Sequence, residues 1–469
     1  MLFDTFGYWG FFTLVLVVLA CLNNRAGKLA LVLLSYVFYA AWDWRFCFLL
    51  ALSSIANYCF GHWIDSNEGA ARKRVVTLAI VFNLCLLGFF KYCNFFVQGF
   101  AALFHLPADH LLLNIVLPVG ISFFTFEGIA YAVDVYRRQL PAVQSKTDFA
   151  LFVAFFPHLV AGPIIRPLDF FPQLGNKPAL DSNDTRWGLR EILKGLIKKI
   201  VLANYCAPIA DAFFTGHAHG NLTVPAWIGV LAFSLQIYFD FSGYTDIARG
   251  CARLLGYRFP ANFERPYLSA NITEFWRRWH ISLSTWLRDY LYISLGGNRI
   301  SVPRTYLNLL IVMTLGGLWH GASWNFAIWG CYHGTLLCLH RLWQRSLRAA
   351  SPASEHPWYW PFCVLATFLL VSLGWIPFRA DSLGHTLAIL QSLPNLAHSR
   401  EFLAQNWGIW LIPLLSLLWC ALDRGRRIQQ WLAERASLAN AIAAAVLAIY
   451  VLQIFAQIDV QIPFVYFQF

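Results

Sequence analysis

The stretch YLNLLIVMTLGGLWHGASW, residues 306–324, decides how this chain is read. It is almost wholly apolar until His320, which stands between Trp319 and Gly321. A titratable ring in hydrocarbon is costly, so a histidine there is a functional candidate by default. A helix from Tyr306 to His320 rises ~21 Å at 1.5 Å per residue. The hydrocarbon core of a bilayer is ~30 Å thick. His320 is therefore predicted at membrane depth, past the middle when measured from the side on which Arg304 lies. Gly316, Gly317 and Gly321 allow close backbone approach around it. A neutral imidazole with an ordinary pKa near 6.5 is a natural general base for an alcohol.

Working outward, the rest of the chain has the same character. Of 469 residues, 58% are hydrophobic and 13% charged, and there are 41 Phe and 20 Trp. Soluble domains carry about 25% charged residues, so this chain cannot cover its surface with charge and needs another solvent. Apolar runs recur at 5–22, 29–41, 46–62, 75–99, 111–133, 202–214, 224–239, 306–320, 326–339, 358–377, 407–422 and 439–458. A spanning helix needs ~20 residues, so the short runs must borrow flanking residues, and roughly eleven or twelve crossings are expected. The predicted fold class is an all-α polytopic membrane protein with additional re-entrant or interfacial helices. The first run lacks a basic flank and a small-residue cleavage site, so it reads as a span and not as a cleaved signal.

The net charge of +11 suggests nucleic acid at first sight, but its distribution points to topology. Taking the runs as crossings, alternate loops hold every lysine and arginine except Arg45, Lys91, Arg379 and Arg400. That asymmetry follows the positive-inside rule. It places both termini on the non-cytoplasmic side. The 11 cysteines are scattered through apolar runs without C-x-x-C or zinc-ligand spacing. They read as small buried hydrophobes, and neither a disulfide framework nor a metal site is expected.

Two stretches break the pattern. In FFPHLVAGPIIRPLDFFPQL (155–174), Pro157, Pro163, Pro167 and Pro172 forbid one continuous helix. An irregular apolar segment is tolerated at membrane depth only where protein buries it. The second stretch is NITEFWRRWHISLSTWLRDYLYISLGGNR (271–299), too charged to cross lipid and too apolar for a free loop. Asn271 and Glu274 have the spacing of a capping box. The helix they start carries Trp276, Arg277, Arg278 and, at its end, His280. Arginine forks suit phosphate, so Arg277 and Arg278 either hold the phosphates of a coenzyme A thioester or meet lipid headgroups. In QIYFDFSGYTDIARGCARLLGY (236–257), Tyr238 and Asp240 either line a polar pocket or end a helix, with Asp240 and Asp246 satisfied by Arg249 or Arg253. His333 and His340 read as structural. The remaining histidines receive no role, and a metal site at His217 and His219 is a weak idea.

These stretches, with GGLWHGASWNFAIWGCYHG (316–334) and the terminal VYFQF, resemble the membrane-bound O-acyltransferase family. The likeness is to its bacterial alginate O-acetyltransferase branch and the cellulose-acetylating counterparts. It extends over nearly the whole chain and rests on long composite motifs. The resemblance implies one integral-membrane domain over 1–469, with core motifs at about 147–345, N-terminal helices at 1–136 and C-terminal helices at 358–469. It implies a helical fold around a tunnel with His320 as the essential histidine and His280 at the second motif position. His280, with Asn271 nearby, would orient substrate or support the thioester, while Trp276, Tyr238 and Asp240 would lie along the substrate path. No bound cofactor is implied. Acetyl-CoA or a similar thioester would be the cytoplasmic donor, and an exopolysaccharide would be the acceptor, reached through periplasmic or membrane-anchored acetyltransferase partners. Asn204 stands where the resemblance leads one to expect an acidic residue. Tyr466, in the terminal FVYFQF, reads either as an acyl relay, because phenol is a better leaving group than an alkyl alcohol, or as one of the aromatic residues that anchor the last helix at the interface. Two rival readings are a polysaccharide or lipid-linked sugar transporter, which ought to show paired half-repeats, and a non-catalytic scaffold for partner acetyltransferases.

Overall fold

The computed structural model describes residues 3–458 apart from 4, 108–110, 161, 176–180, 219–223, 347–357, 396–401, 403 and 405–436. The run at 407–422, His110, His219 and Tyr466 lie outside the described residues. Among those described there is no strand, and the fold is all-α. In chain order the helices are α1 (Phe6–Cys21), α2 (Asn24–Asp43), α3 (Arg45–Asp65), α4 (Gly69–Leu87), α5 (Cys93–Leu103), α6 (Ile121–Tyr136), α7 (Lys146–Ala154), α8 (Phe156–Leu159), α9 (Pro167–Phe170) and α10 (Ser182–Leu196). They continue as α11 (Asn204–Ala218), α12 (Ala226–Leu254), α13 (Ile272–Arg278), α14 (Ile281–Trp286), α15 (Val302–His320), α16 (Trp324–Ser346), α17 (Trp360–Arg379), α18 (Leu383–Ser392) and α19 (Leu438–Ile458). Three helical segments among the described residues are long and apolar enough to cross a bilayer: Arg45–Asp65, Gly69–Leu103 and Trp360–Arg379. The second joins α4 to α5 through a π-turn at Gly88–Tyr92. Other apolar runs fold into helices that carry polar groups inside the protein, such as Asp240 in α12 and Asn308 in α15.

The chain divides into two compact units, one of Met1–Gly188 with Ala248–Pro260, the other of Leu189–Ile247 with Ala261–Phe469. In the first unit, α6 is buried along nearly its whole length. The expected span at 111–133 is not one helix. Pro118 and Gly120, at φ +78°, delay the start to Ile121, and a side chain on Gly120 would strike the Leu159 carbonyl. Amides supply part of the polar glue beside α6. Asn57 of α3 and Asn83 of α4 exchange hydrogen bonds of 3.2 and 2.8 Å. Arg72 donates to the Val135 and Tyr136 carbonyls at the end of α6, satisfying acceptors that a helix end leaves open. The proline-rich segment breaks into the short pieces α8 and α9, and it is buried from Leu151 to Leu159 and again from Gly162 to Ile165. Within it, His158 Nδ1 lies 3.0 Å from Glu127 Oε1 of α6, with both side chains fully enclosed.

In the second unit, α15 and α16 pack backbone to backbone. A side chain on Gly317 would strike the Phe326 carbonyl and the Gly330 backbone, and one on Gly330 would strike the Met313 carbonyl. Small residues on facing helices let membrane helices approach this closely. This contact holds the C-terminal end of α15, and so His320, against α16.

Candidate active site

His320 is the last residue of α15 and is 6% exposed. Its ring meets Trp319 at 5.0 Å, Phe378 of α17 at 5.1 Å and Trp329 of α16 at 5.2 Å between centroids. Three helices thus supply its walls. The turn after His320 is stapled to the end of α17, where Asn325 Nδ2 donates to the Ala380 carbonyl at 2.6 Å. The result is an imidazole in an aromatic box, with little water to compete for its nitrogens.

His280 ends the α13 motif and begins α14 in a left-handed conformation, φ +42° and ψ +55°. A non-glycine residue held there costs free energy and persists only where its surroundings fix it. They do. The Ile281 N–H donates to the Asn262 carbonyl at 2.9 Å, and the Glu264 N–H to the Arg278 carbonyl at 2.9 Å. The Asn262 side-chain oxygen accepts from the Ser282 N–H at 3.1 Å and from the Ser282 hydroxyl at 2.9 Å, and it lies 3.2 Å from His280 Nδ1. A backbone N–H can only donate, so the atom it meets on Asn262 is the oxygen. His280 Nδ1 must then carry the proton and donate, which leaves Nε2 with its lone pair. Nε2 is buried and makes no hydrogen bond among the described residues. The Trp319 ring stands 6.0 Å from His280 and 5.0 Å from His320, so one indole touches both imidazoles.

Burial pushes the His280 pKa down to about 3. In an unfolded chain the same ring takes a proton near pH 6.5. Between those values the unfolded state holds a proton that the folded state lacks, so stability falls as pH drops from about 6.5 toward 3. His280→Gln, which does not titrate, is expected to melt with a shallower pH dependence over that window. An unchanged slope in a melting series would show that the folded ring is not held neutral.

The other sequence-chosen residues separate into two groups. Asn271 caps α13, its side-chain oxygen accepting from the Glu274 N–H at 2.9 Å. The reciprocal bond runs from the Ala270 N–H to Glu274 Oε2 at 2.7 Å, one residue before the cap. The amide that holds His280 is therefore Asn262, and Asn271 is occupied by the helix start. Arg278 pairs with Glu274 at 2.6 Å, while Arg277 is exposed. Trp276 joins the aromatic walls, 5.7 Å from Trp329 and 5.2 Å from His333. His340 Nδ1 lies 2.9 Å from the Thr273 hydroxyl.

Tyr238 and Asp240 belong to a different arrangement. Gly195 and Gly243 let α10 approach α12 closely, since a side chain on either would strike the other's carbonyl. A π-turn at Ile197–Ala203 then aims two lysines at α12. Lys199 Nζ meets Asp240 at 2.8 Å and Lys198 Nζ meets Asp246 at 2.6 Å, with Lys194 3.2 Å from the same Asp246 oxygen. The Lys198 ammonium also lies 5.7 Å from the centroid of the Tyr238 ring. Lysines of the KGLIKK stretch are thus partners of these aspartates, while Arg253 pairs with Asp184. Asn262 and Trp329 were not singled out in the sequence. Asn262 sits in a polar loop without a spacing signal, and Trp329 is one tryptophan among many. Among the described residues no group of three or more metal-ligating side chains exists.

A buried imidazole at a glycine-lined helix end, with a second neutral imidazole across a shared indole, is equipment for moving a proton in a dry site. The chain belongs to the membrane-bound O-acyltransferase family, whose model matches residues 34–372. It is a multi-pass membrane acyltransferase. Among similar proteins, the probable alginate O-acetylase AlgI of Azotobacter vinelandii is 47% identical over 369 residues, covering 76% of this chain and 71% of the relative. The corresponding Pseudomonas aeruginosa protein is 45% identical, covering 77% and 68%. A peptidoglycan O-acetyltransferase of Helicobacter pylori is 38% identical, covering 80% and 75%.

Proposed function

We propose that this chain O-acetylates an exopolysaccharide of the alginate or cellulose type, drawing on a thioester such as acetyl-CoA on the cytoplasmic side of a bacterial inner membrane. The observation that carries this reading is the pair of imidazoles sharing the Trp319 ring, in a chain whose relatives are named O-acetylases. His320 takes the proton of the acceptor hydroxyl as its oxygen attacks the thioester carbonyl. The carbon–sulfur bond breaks, and the thiolate leaves with the proton returned from the imidazolium. The exchange is neutral overall, so no external base or metal is required. His280, with its proton fixed on Nδ1 by Asn262, presents an acceptor at Nε2 that orients a hydroxyl or amide of the substrate. The aromatic walls exclude water and so protect the thioester from hydrolysis. Arg277, exposed beside this motif, would meet coenzyme phosphates. The acceptor lies on the periplasmic side, where both termini stand by the charge asymmetry. The chain itself acetylates an oligosaccharide that reaches the site, and a Tyr466 relay with periplasmic or membrane-anchored acetyltransferases would carry the acetyl group onward to the polymer.

Mass spectrometry of the extracellular polysaccharide tests the reading. Ester-linked acetyl groups are expected with the intact chain and lost on its deletion. Equal acetylation in both would remove it.

A further inference from the structure

Acyl transfer needs a donor for the oxygen that becomes negative as the carbonyl turns tetrahedral, and such donors supply a large share of the rate in a dry site. Several donors around the two imidazoles are already spent. Asn325 Nδ2 is bonded to the Ala380 carbonyl. His280 Nδ1 is bonded to Asn262, and His280 Nε2 has only a lone pair to offer. The indole N–H of Trp329, whose ring touches His320, is uncommitted among the described residues. Trp329 is 2% exposed, and its indole N–H has no hydrogen-bond partner among the described residues. Buried donors are rarely left so, and each such case calls for an explanation.

The placement of this indole is over-determined. Its ring is held by His333 at 4.9 Å, Phe378 at 5.3 Å, Trp276 at 5.7 Å and Trp375 at 5.8 Å, and it meets the His320 ring at 85°. Its helix packs backbone to backbone on α15 through Gly317 and Gly330, which fixes the ring beside the base. A donor that is fixed beforehand costs no reorganisation at the moment of reaction.

We infer that the Trp329 N–H is the oxyanion donor of the site, binding the acyl carbonyl oxygen of the thioester beside His320. The assignment rests on the acyl-transfer reading above. In the step it serves, the acceptor oxygen bonds to the carbonyl carbon while His320 takes the hydroxyl proton. The carbonyl electron pair moves to oxygen and is held by the indole N–H. Collapse of that oxyanion expels the thiolate, which recovers the proton from His320. Trp329 is then a catalytic residue, though its ring looks like ordinary packing.

The test replaces Trp329 in the full-length protein, in lipid nanodiscs, with 3-benzothienylalanine, which keeps the ring shape and puts sulfur in place of N–H. The same replacement at Trp343, which is 67% exposed, serves as the control for incorporation. Acetyl-CoA and an alginate oligosaccharide are the probes. The expected result is a kcat lowered about 10²- to 10³-fold, with KM within about twofold and an unchanged melting temperature. A kcat within about threefold of the parent, with the parent active, overturns the donor assignment alone. A parent protein that cleaves no thioester overturns the acyl-transfer reading, and this assignment with it.

Discussion

Replacing His320 with Gln is expected to lower the acetyl-transfer rate of the purified protein by roughly 10²- to 10⁴-fold, the usual worth of a general base. At 1.36 kcal/mol per tenfold, that is about 3–5 kcal/mol of transition-state stabilisation. The size follows from the surroundings. His320 is enclosed by Trp319, Trp329 and Phe378, so water is poorly placed to substitute as a base. Glutamine fills similar space and remains polar, but it cannot accept the proton. The melting temperature should stay near that of the parent, because the α15–α16 contact that holds the site runs through glycines and not through the imidazole. Initial rates with a labelled acetyl thioester, measured beside a melting curve, check both halves. Retained transfer with an intact fold would place the base elsewhere.

The second large effect concerns stability. Lys199 and Asp240 are 1% and 2% exposed at the side chain and 2.8 Å apart. Removing one member of a buried ion pair leaves an uncompensated charge and costs about 3–5 kcal/mol, whereas replacing both by apolar groups is often neutral or stabilising. Lys199→Met and Asp240→Leu are each expected to destabilise the protein by that amount. The double variant should recover most of it, a coupling that a double-mutant cycle in detergent reads directly. A different pattern, with both single variants melting like the parent yet losing activity, would assign the pair to substrate binding.

This pair also shows where the sequence stops being legible. Asp240 was visible as a carboxylate at the end of an apolar run, but its partner lies 41 residues away (240 − 199) on another helix. The approach depends on Gly195 and Gly243 and on a π-turn, none of which has a strong local signature. The membrane class and the candidate status of His320 were legible for the opposite reason. They depend on local composition, on rise per residue and on the cost of an imidazole in hydrocarbon, all of which act along one segment. The breaks at 155–174 and 271–299 were legible through proline and charge. The late start of α6 was not, since Pro118 and Gly120 lie inside an apolar run that reads as one span. Asn262 was hidden because its role exists only once His280 adopts its left-handed backbone and brings Nδ1 toward it. Trp329 was hidden by number: what marks it is a buried N–H without a hydrogen-bond partner on a ring that also meets His320, a combination that only the fold reveals.

The most direct measurement uses the protein reconstituted in sealed vesicles, oriented by its basic loops, with labelled acetyl-CoA confined to the side those loops face and an alginate oligosaccharide on the other. The account predicts acetyl ester on the far-side sugar while all coenzyme A stays where it was loaded, and a rate at least about 10²-fold lower with His320→Gln. Ester formed only when donor and sugar share one compartment would contradict it.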